Sequence, residues 1–459
     1  MKKWYLSKFI HVFQKDGVFA LYQVLRIKPI YVDADTYEKI KLFSEGITIK
    51  KFFKNIPDDQ KNDYKNLIKN LKKLDFIIAD RDEDDEVFNN ILKTITDPYP
   101  HIVYLMMADT CNLACRYCFE GMNREESNDC NEKLMSKEVL INFVNTYARI
   151  LNSKPEIFND EKKIIFYGGE PLMNYEQIAF ALDLILDYQK RSLLPENIKF
   201  SIITNGTLLS DEIIKKFKDH KVSVSISFDG GRAENVNRVY SNGHEAYDRI
   251  SNFIDKCIAI EVETSISCTL SENNIDSFPA VMNMIDEKKV HYLGFNMMLG
   301  ETSEKYFEKA SNFIIESYKV FREKGIFEDR IYRKLKAFSQ SEVLVFDCAA
   351  AGGHQMVISP DGTVGICHGF FSNRKYFEGS VHDHLFNPIQ SDIFKEWNQR
   401  TPFNMPECKD CPGISICGGG CLMNAEKLYG SIWEKDKQFC IHCLKTLEWM
   451  IWDLYESLV

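Results

Sequence analysis

Between about residues 100 and 325, short apolar runs alternate with stretches whose apolar positions recur at helical spacing. The runs predict strands at 102–107, 163–167, 199–204, 222–228, 263–269 and 292–298. The intervening i, i+3, i+4 pattern predicts helices near 136–151, 174–190, 210–219, 246–259, 276–287 and 303–324. Six strand–helix units in succession imply an α/β fold, a parallel sheet curving into a partial barrel. In such folds the chemistry sits on loops at the C-terminal ends of the strands.

The flanks follow other patterns. Residues 1–95 read as a small unit with a linker. FALYQVL and PIYV are strand-like, a helix starting near Asp35 stops at Gly46, and a second covers Ile49 to Phe53. A third starts near Pro57-Asp58 and carries Tyr64, Leu67, Ile68, Leu71 and Leu74 on one face. FIIA at 76–79 closes the unit, and the acidic run Asp80 to Glu86 reads as a solvated linker. The barrel then occupies 96–325, a helical connector 326–345, an irregular Gly- and Cys-rich region 346–443, and a terminal helix 444–459.

Composition adds one anomaly. The chain has 459 residues, an ordinary globular mixture, and 14 cysteines, eleven of them within 111–118 and 348–443. The basic start MKKWYLSKFIHVFQKDG is interrupted by polar residues before an apolar signal core can form, and no window approaches a membrane span. A cytoplasmic location is therefore expected, where thiols stay reduced and clustered cysteines read as metal or redox ligands. A net charge of −10 makes nucleic acid or an anionic membrane an unexpected partner.

Cys111-Asn-Leu-Ala-Cys115-Arg-Tyr-Cys118 directly follows the first barrel strand. Three thiolates on one tight loop suit three corners of a cubane iron–sulfur cluster, whose fourth iron can then take a small molecule. Zinc is the simpler reading, but it wants four ligands and no fourth lies close in sequence. The run resembles the signature of the radical S-adenosylmethionine (SAM) enzymes. Gly168-Gly169-Glu170-Pro171 after the second strand, Ser201 and Thr204-Asn205-Gly206 at the third, and Ser227-Phe-Asp229-Gly230 at the fourth match in register. The resemblance implies that Cys111, Cys115 and Cys118 hold the catalytic cluster. It implies too that Glu170 meets the methionine amino group of SAM and that the other polar strand ends face its ribose and carboxylate. Tyr117 would cover the adenine. Such enzymes cleave SAM reductively to a 5′-deoxyadenosyl radical.

Cys348, the G-x4-C element ending at Cys367, then Cys408-x2-Cys411-x5-Cys417-x3-Cys421, Cys440 and Cys443 resemble the SPASM domain, which holds two auxiliary [4Fe–4S] clusters. That implies three clusters in all. Cys348, Cys367 and Cys421 would bind the inner auxiliary one, and Cys408, Cys411, Cys417 and Cys440 the outer. The fourth inner position stays open or takes His354 or Cys443. The sulfatase-maturating relatives place an Asp after the G-x4-C cysteine, where this chain has His368. Cys130, Cys257 and Cys268 read as plain apolar thiols.

Residues 1–95 resemble the winged-helix-like precursor-recognition domains of ribosomal peptide modification systems, which bind a leader peptide as an added strand. Lys61, Lys65, Lys69 and Lys72 make a basic stripe, either a solvated face or a seat for an acidic leader. The resemblance thus implies a radical SAM/SPASM peptide maturase with a precursor peptide and an external flavodoxin- or ferredoxin-type electron donor as partners. Its product would be an intrapeptide thioether or other carbon-centred crosslink. Formylglycine formation, peptide epimerisation and a non-enzymatic iron–sulfur carrier are the alternatives.

Overall fold

The computed structural model describes residues 2–118 and 133–459. Cys130 lies outside them. Six short strands come first. β2 (Ile10–Lys15), β3 (Val18–Gln23) and β4 (Lys28–Val32) form one antiparallel sheet. β1 (Lys3–Leu6) sits between β5 (Ile47–Thr48) and β6 (Ile77–Ile78) in another. β1 and β2 are strands that the apolar pattern did not signal, because their faces are mostly half-exposed. The helix Lys61–Lys73 buries Tyr64, Ile68 and Leu71 against Phe43, Phe52 and Phe76, the apolar face expected of it. Asp33 caps the helix Ala34–Ile40 by accepting from the Thr36 amide.

The acidic run is not a linker. Residues Asp82–Leu92 form a helix. Asp84 is buried, accepting from Ser7 Oγ at 2.7 Å and the Lys8 amide at 2.8 Å, and Phe88 stacks on Phe9. The four acidic residues of its first turn suit the positive end of the helix dipole, which the charge run alone concealed.

The central sheet holds β7 (Ile102–Ala108), β8 (Lys162–Gly168), β9 (Ile198–Thr204), β10 (Val222–Ser227), β11 (Thr264–Leu270) and β12 (Tyr292–Met297). All pair in parallel with their sequence neighbours, within a residue or so of the expected bounds. Ser136, Ser210 and Ser303 cap three of the following helices, which explains where those helices start. Two extensions were not legible. β13 (Phe327–Glu328), inside the segment read as a helical connector, adds to β12 before the helix Asp329–Gln340. At the other edge β14 (Gln355–Ile358) pairs in parallel with β7, followed by β15 (Thr363–Gly365) and β16 (Phe377–Ser380). The Cys-rich region therefore continues the barrel sheet.

Burial alternates along β10 and β11. Val222, Val224, Ile226, Ile266, Cys268 and Leu270 join the core packed under the helices. The other side presents Ser223, Ser225, Ser227, Ser265, Ser267 and Thr269, the pleat's period of two sending them to the concave face. The terminal helix starts at Lys437, earlier than expected, capped by Asp436. It therefore carries Cys440 and Cys443 on its first two turns. No described helix is long and apolar enough to cross a membrane.

Candidate active site

The Cys111–Cys118 loop leaves the C-terminal end of β7 and is braced from two sides. The first brace is the Gly168-Gly169-Glu170 segment. The Gly169 amide donates to Ala108 O and the Glu170 amide to Thr110 O, both at 2.9 Å. A Cβ on Gly168 would lie 2.3 Å from Ala108 O, and one on Gly169 2.2 Å from Thr110 O. Only glycine allows β8 to run this close to the start of the cysteine loop. The second brace is the 237–240 segment, with Ala114 N to Val239 O at 2.7 Å and Arg116 N to Asn237 O at 3.1 Å.

Glu170 is fully buried. Its carboxylate accepts from Thr204 Oγ1 at 2.7 Å, the Asn205 amide at 2.8 Å and the Leu172 amide at 3.0 Å. Burial pushes its acid up to about 7 against those three donors. Asn205 in turn reaches the cysteine loop, donating to Asn112 Oδ1 at 2.9 Å and to Cys111 Sγ at 3.7 Å. Thus Glu170, Thr204 and Asn205, read separately along the chain, form one network under Cys111. Ser201 is buried on β9, and Ser227 is half-buried at the end of β10.

Tyr117 and Asp229, expected separately at the adenine and at the polar strand end, are joined directly. Tyr117 OH donates to Asp229 Oδ2. Asp229, fully buried, also accepts from Arg238 Nε at 3.1 Å, Arg238 Nη2 at 3.0 Å and the Thr269 amide at 3.0 Å. The Arg238 guanidinium lies 5.4 Å from the Tyr117 ring centroid. The Asp229 carboxylate is therefore filled by protein donors, and the Tyr117 hydroxyl is tied to strand end β10. Arg238 was missed. It is isolated in a polar loop, with no spacing that marks it.

The C-terminal cysteines fall into two groups. Cys348 and Cys367 lie close enough to Cys421 to push its thiol up alongside burial and Asp436, and Cys408, Cys411 and Cys417 do the same to Cys440. Cys443 lies with the second group. Its thiol donates to Gly413 O at 3.9 Å, and its interaction with Cys417 holds the Cys417 thiol down and pushes the Cys443 thiol up. A Cβ on Gly413 would sit 2.9 Å from Cys443 Sγ and 3.8 Å from Cys411 Sγ. The two candidates for the fourth inner position are placed as follows. Cys443 is on the outer side because it shares a helix face with Cys440, three residues away. His354 turns its Nδ1 to the Tyr99 backbone at 3.3 Å and packs between His101 and Phe346.

The groups are stapled together. Asp436 accepts from the Cys421 amide at 3.2 Å while capping the helix that bears Cys440. Arg400, fully buried, donates to Ile432 O and Glu434 O, each at 2.7 Å, and to Gly419 O. A Cβ on Gly418 would lie 2.2 Å from the Asp347 amide, so this glycine admits the 346–347 backbone. His368 stacks on Tyr104 with centroids 4.5 Å apart, beside Tyr167. Cys257 and Cys268 are buried in the core, as expected of apolar thiols.

The donor set fits iron–sulfur cubanes. Thiolate-only groups of three and more, each under glycine-rich backbone, match a centre in which each iron takes one cysteine.

Comparisons agree with this chemistry. The profile of the "Radical SAM superfamily" matches residues 105–285, and that of an "Iron-sulfur cluster-binding domain" (SPASM) matches 348–412. The chain is 26% identical to the radical SAM cyclopropyl synthase TigE of Paramaledivibacter caminithermalis, over 95% of this chain and 93% of TigE. It is 26% identical to a cysteine-type anaerobic sulfatase-maturating enzyme of Clostridium perfringens, over 68% of this chain and 85% of that one. A solved structure of anSMEcpe with bound AdoMet shares the fold at a TM-score of 0.63 and 22% identity, covering 77% of this chain and 99% of that one. Streptococcus suis SuiB bound to S-adenosylmethionine matches at a TM-score of 0.52 and 14% identity, covering 95% of this chain and 99% of SuiB.

Proposed function

The chain belongs to the radical SAM superfamily and carries a SPASM domain, and from that premise we propose that it is a peptide maturase that crosslinks a ribosomally made precursor. The observation that carries this reading is the extent of the likeness to TigE. It runs through the N-terminal unit as well as the barrel and the cysteine region, whereas the sulfatase-maturase likeness covers 68% of the chain.

Bound SAM and a reduced [4Fe–4S] cluster together supply a radical able to take hydrogen from an unactivated carbon. This chain's residues do the rest. Cys111, Cys115 and Cys118 hold the cluster and leave one iron for SAM. Gly168 and Gly169 keep the loop tight against β8. Glu170, Thr204 and Asn205 fix the floor, and Ser201 and Ser227 offer hydroxyls to the ligand. Asp229 with Arg238 holds Tyr117 at the rim. The hydroxyls of Ser223, Ser225, Ser265, Ser267 and Thr269 line the same face of β10 and β11 and would meet a peptide segment there. Cys348, Cys367 and Cys421 would hold the inner auxiliary cluster, and a substrate thiolate could supply its remaining ligand. Cys408, Cys411, Cys417 and Cys440 hold the outer one.

The first choice of product is an intrapeptide thioether. Closing a C–S bond from C–H and S–H removes two hydrogens, and so does closing a carbon ring of the kind TigE's name describes. The leader peptide would add to an edge of the β2–β3–β4 sheet, where among the described residues β2 and β4 each pair with β3 alone. An external flavodoxin- or ferredoxin-type donor would supply the electron, in the cytoplasm.

The test is co-expression with the neighbouring precursor peptide, followed by mass spectrometry with and without thiol alkylation. A loss of two hydrogens per site with protected thiols is expected for a thioether. The same loss with free thiols would mean carbon–carbon closure. An unchanged mass with solvent deuterium would mean epimerisation. Formylglycine on a Cys or Ser is the second reading, favoured by the sulfatase-maturase likeness. No deoxyadenosine with SAM and dithionite would defeat the enzyme reading.

A further inference from the structure

Between the two auxiliary cysteine groups lies a buried lysine. Lys334 sits on the helix Asp329–Gln340 and is 4% exposed. Its ammonium is 3.5 Å from Asp347 Oδ1 and 3.4 Å from Ile416 O. Asp347 directly precedes Cys348 of the inner group, and Ile416 directly precedes Cys417 of the outer group. The two segments are joined at the same place, with Asp347 N to Gly418 O at 2.9 Å and Leu344 N to Ser415 O at 2.8 Å.

A buried ammonium needs counter-charge, since leaving water costs several kcal/mol. It has three donors, and both oxygen contacts are long for hydrogen bonds. Asp347 is shared with Arg333, whose Nη1 lies 3.5 Å from the same Oδ1. One shared carboxylate is little to hold this lysine.

We propose that Lys334 is a positioning residue for electron transfer: the fixed cation that sets the reduction potentials of the two auxiliary clusters, with Asp347 opposing it. This rests on the reading that these cysteines hold iron–sulfur clusters. Reduction adds negative charge to a cluster, so a nearby buried cation favours the reduced form and raises the potential. Because the ammonium stands between the two groups, reduction of one cluster uses part of the field the other feels. The two potentials are thereby linked.

The experiment is a redox titration followed by electron paramagnetic resonance on the full, anaerobically reconstituted chain. Iron is counted for every variant. Lys334→Gln should lower at least one auxiliary potential, Asp347→Asn should raise it, and Lys334→Arg should leave it near the starting value. The signal of the cluster on Cys111, Cys115 and Cys118 should stay where it was in all three. Opposite signs for the two neutralisations are not expected from a packing defect. If Lys334→Gln loads no iron, Asp347→Asn alone still tests the sign. Unmoved potentials in iron-replete variants, or a fall in Asp347→Asn, would overturn the proposal. Iron for only one cluster in the unaltered chain would instead sink the underlying cluster reading.

Discussion

The two cysteine regions solve the same chemical problem in opposite ways. The first group is local: three cysteines within eight residues on one loop, braced by backbone hydrogen bonds to β8 and to 237–240. The second is assembled from segments between Cys348 and Cys443, held in place by the buried charged side chains of Arg400, Asp436 and Lys334 and by the half-buried Asp347. A local loop needs only glycines to approach its neighbour. A dispersed group must hold its segments by long-range bonds, and each staple is a single point of failure.

The largest effect separates the two groups by function. Cys115→Ala should abolish deoxyadenosine formation, whereas Cys408→Ala should retain it and lose peptide product, as read by chromatography and mass spectrometry. Equal loss of both activities in Cys408→Ala would erase the distinction. Next, Asp229→Asn leaves the buried Arg238 charge without its carboxylate and should cost about 3 kcal/mol in denaturant unfolding. Arg400→Gln strands buried carbonyls and should cost about 2 kcal/mol. It should also lower auxiliary iron while sparing the cluster on the first loop. Iron lost equally from both would break the comparison.

A smaller effect concerns pH. Burial first, then His354 and Lys162, hold the His101 imidazole down to about 4. A base with a lowered folded value contributes stability that is full above the unfolded value near 6.5 and is lost as pH falls toward 4. His101→Phe should flatten a decline of about 1 kcal/mol across that window, the partial exposure of His101 reducing the effect. The smallest is at the N-terminal unit. Lys72 lies 3.9 Å above the Trp4 ring, so this member of the basic stripe is packed. Lys72→Ala should cost about 0.5 kcal/mol in thermal unfolding, while Lys65→Ala should cost nothing.

Legibility followed locality. The six barrel strands were readable because each is a short apolar or alternating run followed by a helix-patterned segment: β7, β8 and β9 are buried along most of their length, and burial alternates along β10, β11 and β12. β1 and β2 were not, since half-exposed strands carry little contrast. The helix Asp82–Leu92 hid behind its own acidic first turn. Cys111, Cys115, Cys118 and the Gly168–Glu170 segment could be named from spacing. Arg238 and Arg400 could not, because an isolated arginine reads as surface until its partners are known.

The sequence by itself determined the barrel, the two cysteine clusters and the turn chemistry at each strand end, because those depend on neighbours within a few residues. Only the tertiary structure decided that β14 extends the barrel sheet, that Cys443 sides with the outer group, that His354 faces Tyr99, and that Asp229 belongs to Arg238 and Tyr117. Those choices turn on which distant groups satisfy a buried charge, thiol or hydrogen-bonding atom. In the interior such a partner has to come from protein that is far away in sequence.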